Sequence, residues 1–258
     1  MIRRNWTKDE LILTFALYLR LPFGKMHHGN SDVIYLSNII ERTPGAVAMR
    51  LGNFASIDPY HKERGIKGLT GGTSVCQPIW DEFFENKEAL YYESERILAE
   101  KENNSIEIKF KSLLESTKHL HGEVKIREVK TRVNQYVFRN IVLFNYLNRC
   151  AITGIQLPEL LIASHIIPWS ENSQERLNPR NGICLNVLHD KAFDSGLIAI
   201  RPDDYSVVLS NELKNKKNLN SAFELNFIAY ENKQIHLPDK FLPQPEFLDY
   251  HFMKIFRK

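Results

Sequence analysis

The 258-residue chain predicts an α+β protein. A helical N-terminal domain of helix-turn-helix-like layout is expected over residues 1–104. Residues 105–258 are expected to form a basic helical connector leading into a strand, strand and helix unit with extra strands. Three observations carry this. Ser or Thr stands at the head of three apolar runs with helical spacing in the first sixty residues. Two β-branched apolar runs, residues 161–167 and 183–187, are separated by turn-forming text, and a short helical pattern follows the second. The basic residues are gathered just ahead of that unit rather than spread evenly.

In chain order, Thr7 is a candidate N-cap with Glu10 at capping-box spacing, and residues 11–21 keep one face apolar. Residues 22–30 are rich in turn formers. Ser31 opens a second helix through Ile40, and Thr43 with Pro44 opens a third through Phe54. The tight connection before the third helix, together with Trp6–Thr7 and RTPGAVAMRLGNF, is similar to the Myb-like three-helix arrangement. That likeness implies that Arg42, Thr43, Arg50 and Asn53 face DNA. The same text also fits a helical domain that only packs or pairs. Residues 60–74 hold four glycines with Lys62, Arg64 and Lys67. They lack the Lys and Ser/Thr placement of a nucleotide-binding loop, so no nucleotide role is assigned.

Residues 79–101 read as one helix, ended by the polar stretch 102–105, which is the expected domain boundary. Residues 81–102 are acidic. Between Lys118 and Arg149, by contrast, seven Lys and Arg face only Glu123 and Glu128. Lys130, Arg132 and Arg139, with Arg176 and Arg180 between the two strands, are therefore candidates to neutralise phosphates, a contact that gives affinity without sequence information. Beyond Gly196, residues 197–200, 206–209 and 227–230 suggest a small sheet.

The chemistry concentrates in residues 150–196. His165 ends an apolar strand stopped by Pro168, so its imidazole is rigidly held and can take a proton from water near neutral pH. Asn181 sits at the hairpin corner, where its amide can bond backbone groups across the loop. His189 opens the helix and can carry a divalent cation. The segments CAITG, SHIIPW, NPRNG and LHDKAFDSG, from Cys150 to Gly196, resemble the HNH endonuclease family with its ββα-metal fold, and the likeness extends to the restriction-type subgroup. It implies a general base at His165, a hairpin-bracing Asn at Asn181 and a metal ligand at His189. It further implies hydrolysis of double-stranded DNA to 5′-phosphate and 3′-hydroxyl ends. Ser164 departs from the family pattern, which often has a second metal ligand there. Asp194, then Asp190, are the nearby substitutes. However, Asp194 lies about 140° round a helix from His189, so the two share a metal only if the helix ends first. A water-rich, phosphate-assisted site suits Mg2+ or Mn2+ better than Zn2+.

Tyr250 and His251 resemble a family tail without a readable role. Cys76, Cys150 and Cys184 form no CxxC pair, which excludes a four-cysteine zinc site within one chain. Their odd number, with no signal peptide and no span long enough for a bilayer, leads us to expect a soluble cytoplasmic protein. A net charge of +3 does not by itself announce a nucleic-acid binder. Cutting two strands with one site per chain favours a homodimer. The alternatives to a DNA endonuclease are a non-catalytic DNA-binding protein that kept the fold, which Ser164 would suit, and a nuclease for RNA or modified DNA.

Overall fold

The computed structural model describes residues 4–65, 68–215, 220–238 and 240–258. Lys67 of the glycine-rich loop lies outside the described residues. The chain is mixed α and β, with two small antiparallel sheets among the described residues, and divides into two compact units, residues 1–137 and 138–258. This division falls inside one long helix, whereas the polar stretch 102–105 lies further back in the chain, between two shorter ones.

The first unit is helical. Helix α1 (Lys8–Arg20) begins in the capping box that the sequence predicts: the Thr7 side chain accepts from the Glu10 amide, and the Glu10 carboxylate accepts from the Thr7 amide. Helix α2 (Ser31–Ile39) is capped by Asn30, and α3 (Pro44–Ile57) by Thr43 with Pro44 in its first turn. A short α4 (Pro59–Glu63) and α5 (Thr73–Phe83) follow, so the glycine-rich stretch is framed by helices. Residues 79–101 are two helices rather than one. The chain breaks after Phe84, where the Asn86 side chain caps α6 (Lys87–Lys101) by accepting from the Ala89 amide. Helix α1 packs on α3, α5 and α6. The core holds Phe15, Tyr18, Phe54 and Trp80, with the rings of Phe15 and Phe54 stacked at 4.7 Å. After α7 (Ile106–Lys109) comes α8 (Gly122–Asn145), whose last turns begin the second unit.

In the second unit, strand β1 (Leu161–His165) pairs antiparallel with β2 (Gly182–Asn186), His165 opposite Gly182. Helix α9 (Val187–Asp194) starts at once from β2 and packs on both strands. A Cβ at position 182 would strike Val142 and Phe138 of α8, so only glycine lets the hairpin lie this close to that helix. Strands β3 (Ile198–Ile200) and β4 (Val207–Leu209) form the second sheet. The third strand expected at 227–230 is absent. Residues Ile228–Tyr230 make a 3-10 turn whose neighbouring rings pack on His189, a tertiary demand that overrides their strand-like composition. Two short helices, α10 (Asn211–Lys214) and α11 (Ser221–Asn226), precede the C-terminal α12 (Pro245–Lys254), which packs on β3.

Candidate active site

His165 stands at the last position of β1, half-buried. Its ring lies flat on Phe138, with centroids 4.1 Å apart and planes 13° apart, and meets the edge of Trp169 at 5.4 Å. Nε2 is 2.8 Å from the Arg176 carbonyl oxygen. A carbonyl only accepts, so Nε2 carries the proton and Nδ1 keeps its lone pair. Burial lowers the pKa of this imidazole, and the Arg176 charge acts the same way, while the bond to the Arg176 carbonyl partly offsets them. At neutral pH His165 is therefore a neutral acceptor.

Asn181 is buried, and its amide spans the loop that follows His165. Its oxygen accepts from the Ile167 amide at 2.8 Å, and its nitrogen donates to the carbonyls of Ile167 and Glu175, both at 3.1 Å. The Asn181 carbonyl also accepts from the Ile166 amide at 3.0 Å. These bonds fix the chain immediately after the histidine.

His189 is not brought to the same place. It is 1% exposed, and each ring nitrogen faces an oxygen, Nδ1 to Asn186 Oδ1 at 3.0 Å and Nε2 to the Asn226 carbonyl at 2.6 Å. The Phe227 and Tyr230 rings flank it. Burial lowers its pKa, partly offset by the Asn226 bond. His189 is not among the residues that line the cavity beside His165, and its Nε2 lies against the Asn226 carbonyl instead. The helical turn explains why. Helix α9 runs on through Asp194, so Asp190 and Asp194, four residues apart, lie about 40° from each other, while His189 lies about 100° from Asp190 and 140° from Asp194.

Instead, a solvent-open cavity of about 440 Å³ is lined by Ser164, His165, Trp169, Asp190, Asp194 and His251. Burial raises the pKa of both aspartates. The neighbouring Ser164 hydroxyl opposes this for Asp190, and the charge of Asp190 adds to it for Asp194. Two carboxylates that burial makes costly to charge, on one helical face beside a neutral imidazole, suit a divalent cation. Among the described residues no three His, Cys, Asp or Glu side chains converge as a ready-made metal cage. A cation here would rest on the two carboxylates, with water and substrate oxygens completing its shell, which is the usual manner of Mg2+.

His251, on α12, joins the cavity from outside the motif that sequence reading emphasised. Its ring stacks on Phe193 at 3.7 Å and 7°, with Nε2 3.0 Å from the Phe193 carbonyl. Burial lowers its pKa to about 4. The pair Asp190 and Asp194 had a signal in the sequence, the i, i+4 spacing; His251 had none beyond its place in the tail.

The basic residues expected near phosphate are largely engaged within their own units. Arg139 donates to the carbonyls of Leu161 at 2.5 Å and Pro158 at 2.9 Å, tying α8 to the start of β1. Arg176 lies over the Trp169 ring at 5.1 Å and donates to the Trp169 carbonyl. Arg180, Lys130 and Arg132 are half-buried. In the first unit Arg42 binds the buried Glu10 carboxylate at 2.7 Å and lies over Trp6. Thr43 caps α3, and Arg50 donates to the Gly72 carbonyl at 2.8 Å. Asn53, 4% exposed, gives its amide hydrogens to the carbonyls of Leu69 and Gly71.

Residues 150–201 match the family model described as HNH endonuclease. No curated protein matches the chain. The matched stretch runs from Cys150 to Arg201 and so contains β1, β2, α9 and β3, but not His251. It supports a nuclease-type hydrolase with nucleic acid as substrate, in a family that generally uses a divalent metal. No helix among the described residues is long and apolar enough to cross a membrane.

Proposed function

We propose that the chain is a divalent-cation-dependent endonuclease of restriction type acting on double-stranded DNA. The observation that carries this reading is the His165 tautomer: Nε2–H is tied to the Arg176 carbonyl, and Nδ1 is left as an acceptor in a cavity shared with Asp190 and Asp194. His165 Nδ1 takes a proton from the attacking water, whose oxygen bonds to phosphorus as the bond to the 3′ oxygen breaks, and the released 3′ oxygen takes a proton from solvent water. That course leaves 5′-phosphate and 3′-hydroxyl ends. Asp190 and Asp194 would hold the cation, Mg2+ or Mn2+, and the charge it supplies when bound would offset the negative charge that builds on the phosphate. Asn181 keeps His165 aimed by fixing Ile167 behind it. His189 acts through structure, anchoring α9 to the Asn226 carbonyl. Cleavage of both strands calls for two copies of the site, hence a homodimer on DNA.

Incubating supercoiled plasmid with the purified protein in Mg2+, Mn2+ or EDTA tests the reading. Nicking is expected with either cation and not with EDTA. His165→Ala is expected to abolish nicking while still shifting DNA in a gel; unchanged nicking by that variant removes the mechanism. A wild-type protein that shifts DNA but never nicks it is a binder rather than a nuclease. Parallel RNA and methylated-DNA substrates separate the remaining possibilities.

A further inference from the structure

The cavity holds two imidazoles secured by the same device. His165 lies flat on Phe138 with Nε2 on a backbone carbonyl, and His251 lies flat on Phe193 with Nε2 on a backbone carbonyl. In both, the carbonyl fixes the proton on Nε2 and leaves Nδ1 as an acceptor. His165 is half-buried, and its Nδ1 is not among the sealed atoms without a partner, so water can satisfy it. His251 is 1% exposed, and its Nδ1 is buried with no hydrogen-bond partner among the described residues. A buried acceptor left without a donor costs free energy, so its persistence calls for a donor that arrives with a ligand.

We infer that His251 Nδ1 accepts a hydrogen bond from a water in the shell of the cation that Asp190 and Asp194 hold. This rests on the proposed nuclease reading and extends its site to α12. A hydrated divalent cation on two carboxylates keeps several waters, each a strong donor. His251 Nδ1 is a neutral acceptor on a residue that lines the same cavity, and it has no hydrogen-bond partner among the described residues. His251 is thus a positioning residue, acting on the cation through water. Groups of this kind typically change metal affinity by about 10- to 100-fold when removed.

Mn2+ binding to the full chain without DNA, followed by the EPR signal of free Mn2+, gives a readout independent of cleavage. His251→Phe keeps a ring against Phe193 but has no acceptor, and is expected to bind Mn2+ about tenfold more weakly or worse. His251→Asn, whose amide oxygen falls near the Nδ1 position, is expected to recover part of the loss. A folded His251→Phe protein that binds Mn2+ within twofold of wild type overturns the inference, as does a wild type that binds no Mn2+. If the variants do not fold, the imidazole 15N resonances of the wild-type protein decide it. Mg2+ is expected to shift the His251 Nδ1 signal, and an unchanged signal at saturating Mg2+ overturns the inference. Cation binding that depends on His251 without any plasmid nicking sinks the nuclease reading alone. Nicking with cation affinity indifferent to position 251 sinks this inference alone.

Discussion

Helix α9 has two faces, and they have been put to opposite uses. One carries His189 into a dry seam among Asn186, Asn226, Phe227 and Tyr230, where Nε2 lies 2.6 Å from the Asn226 carbonyl oxygen and can donate to it. The other presents Asp190 and Asp194 to an open cavity with His165. The residues are neighbours in sequence, yet on a helix of eight residues a step of one is a turn of about 100°. Proximity to a motif in sequence therefore does not say which residue meets the substrate. A ring enclosed by protein, with its donor taken by a backbone carbonyl, is the one least free to bind anything else.

The largest expected effect separates the two faces directly. Asp194→Asn removes a charge from the proposed cation site and is expected to lower plasmid nicking by about a hundredfold or more, the scale of losing one electrostatic element of a transition state. The fold is expected to survive, since burial already disfavours the charged form of this carboxylate. His189→Gln should do the reverse, costing about 1–3 kcal/mol of stability as the Asn226 carbonyl loses its imidazole donor, with nicking per folded molecule within about threefold of wild type. Urea unfolding and nicking rates measured on both proteins check the pair. A dead but fully stable His189→Gln would return the metal to His189.

Stability should respond to acid through the sealed imidazoles. Burial holds His251 at about 4 and lowers His189 as well, so both are neutral when folded and gain protons when unfolded. The folded pKa lies below the unfolded one. The stability these groups contribute is therefore present above about pH 6.5 and is lost as pH falls towards 4, by about 3 kcal/mol for His251. Thermal melts across that window test it, and a melting temperature flat from pH 7 to 5 contradicts the burial of these rings.

How far the sequence spoke for itself depends on whether a feature was locally encoded. Thr7 with Glu10, Thr43 with Pro44, and the two strands around the hairpin are set by residues within a few positions, and each formed where the text placed it. The break between α5 and α6 was hidden inside a run that reads as continuously helical, because one Asn side chain decides it. Residues 227–230 look like a strand and became a turn under the demand of His189 for ring neighbours. In the first unit, Arg42 and Asn53 read as polar recognition residues, but a buried carboxylate and two loop carbonyls claim them. His251 was illegible for the plainest reason: its partner is a backbone carbonyl 58 positions away, and no local pattern marks such a bond.

A third test strikes at what lies beneath the open face. Gly182→Ala would press a methyl group into Phe138, the ring on which His165 rests. Overpacking of this kind costs about 1–3 kcal/mol, and the displaced ring should carry the base with it. Nicking is expected to fall about tenfold at a pH where the protein remains folded, because small misplacements of a catalytic group are costly. If stability drops and nicking does not, the stacking of His165 on Phe138 is not what aims it.

The smallest expected effect is a displacement along the pH axis. His165 must be neutral to take a proton, and burial, the largest influence on it, lowers its pKa below the ordinary value of 6.5. A lowered pKa extends the neutral form to more acid solution, so the acid limb of kcat/KM should fall below pH 6.5 rather than at or above it. Opening the site should move the limb back. Trp169→Ala removes the edge that covers the ring, lessens the burial and is expected to shift the limb upward by a fraction of a unit. Asp190 and Asp194 work against this, since a second titration at a raised carboxylate would steepen the same limb. Asp190→Asn removes one of these carboxylates and the charge that helps raise Asp194, so the limb should be shallower than in wild type, and an unchanged slope in that variant would mean that Asp190 does not titrate on it.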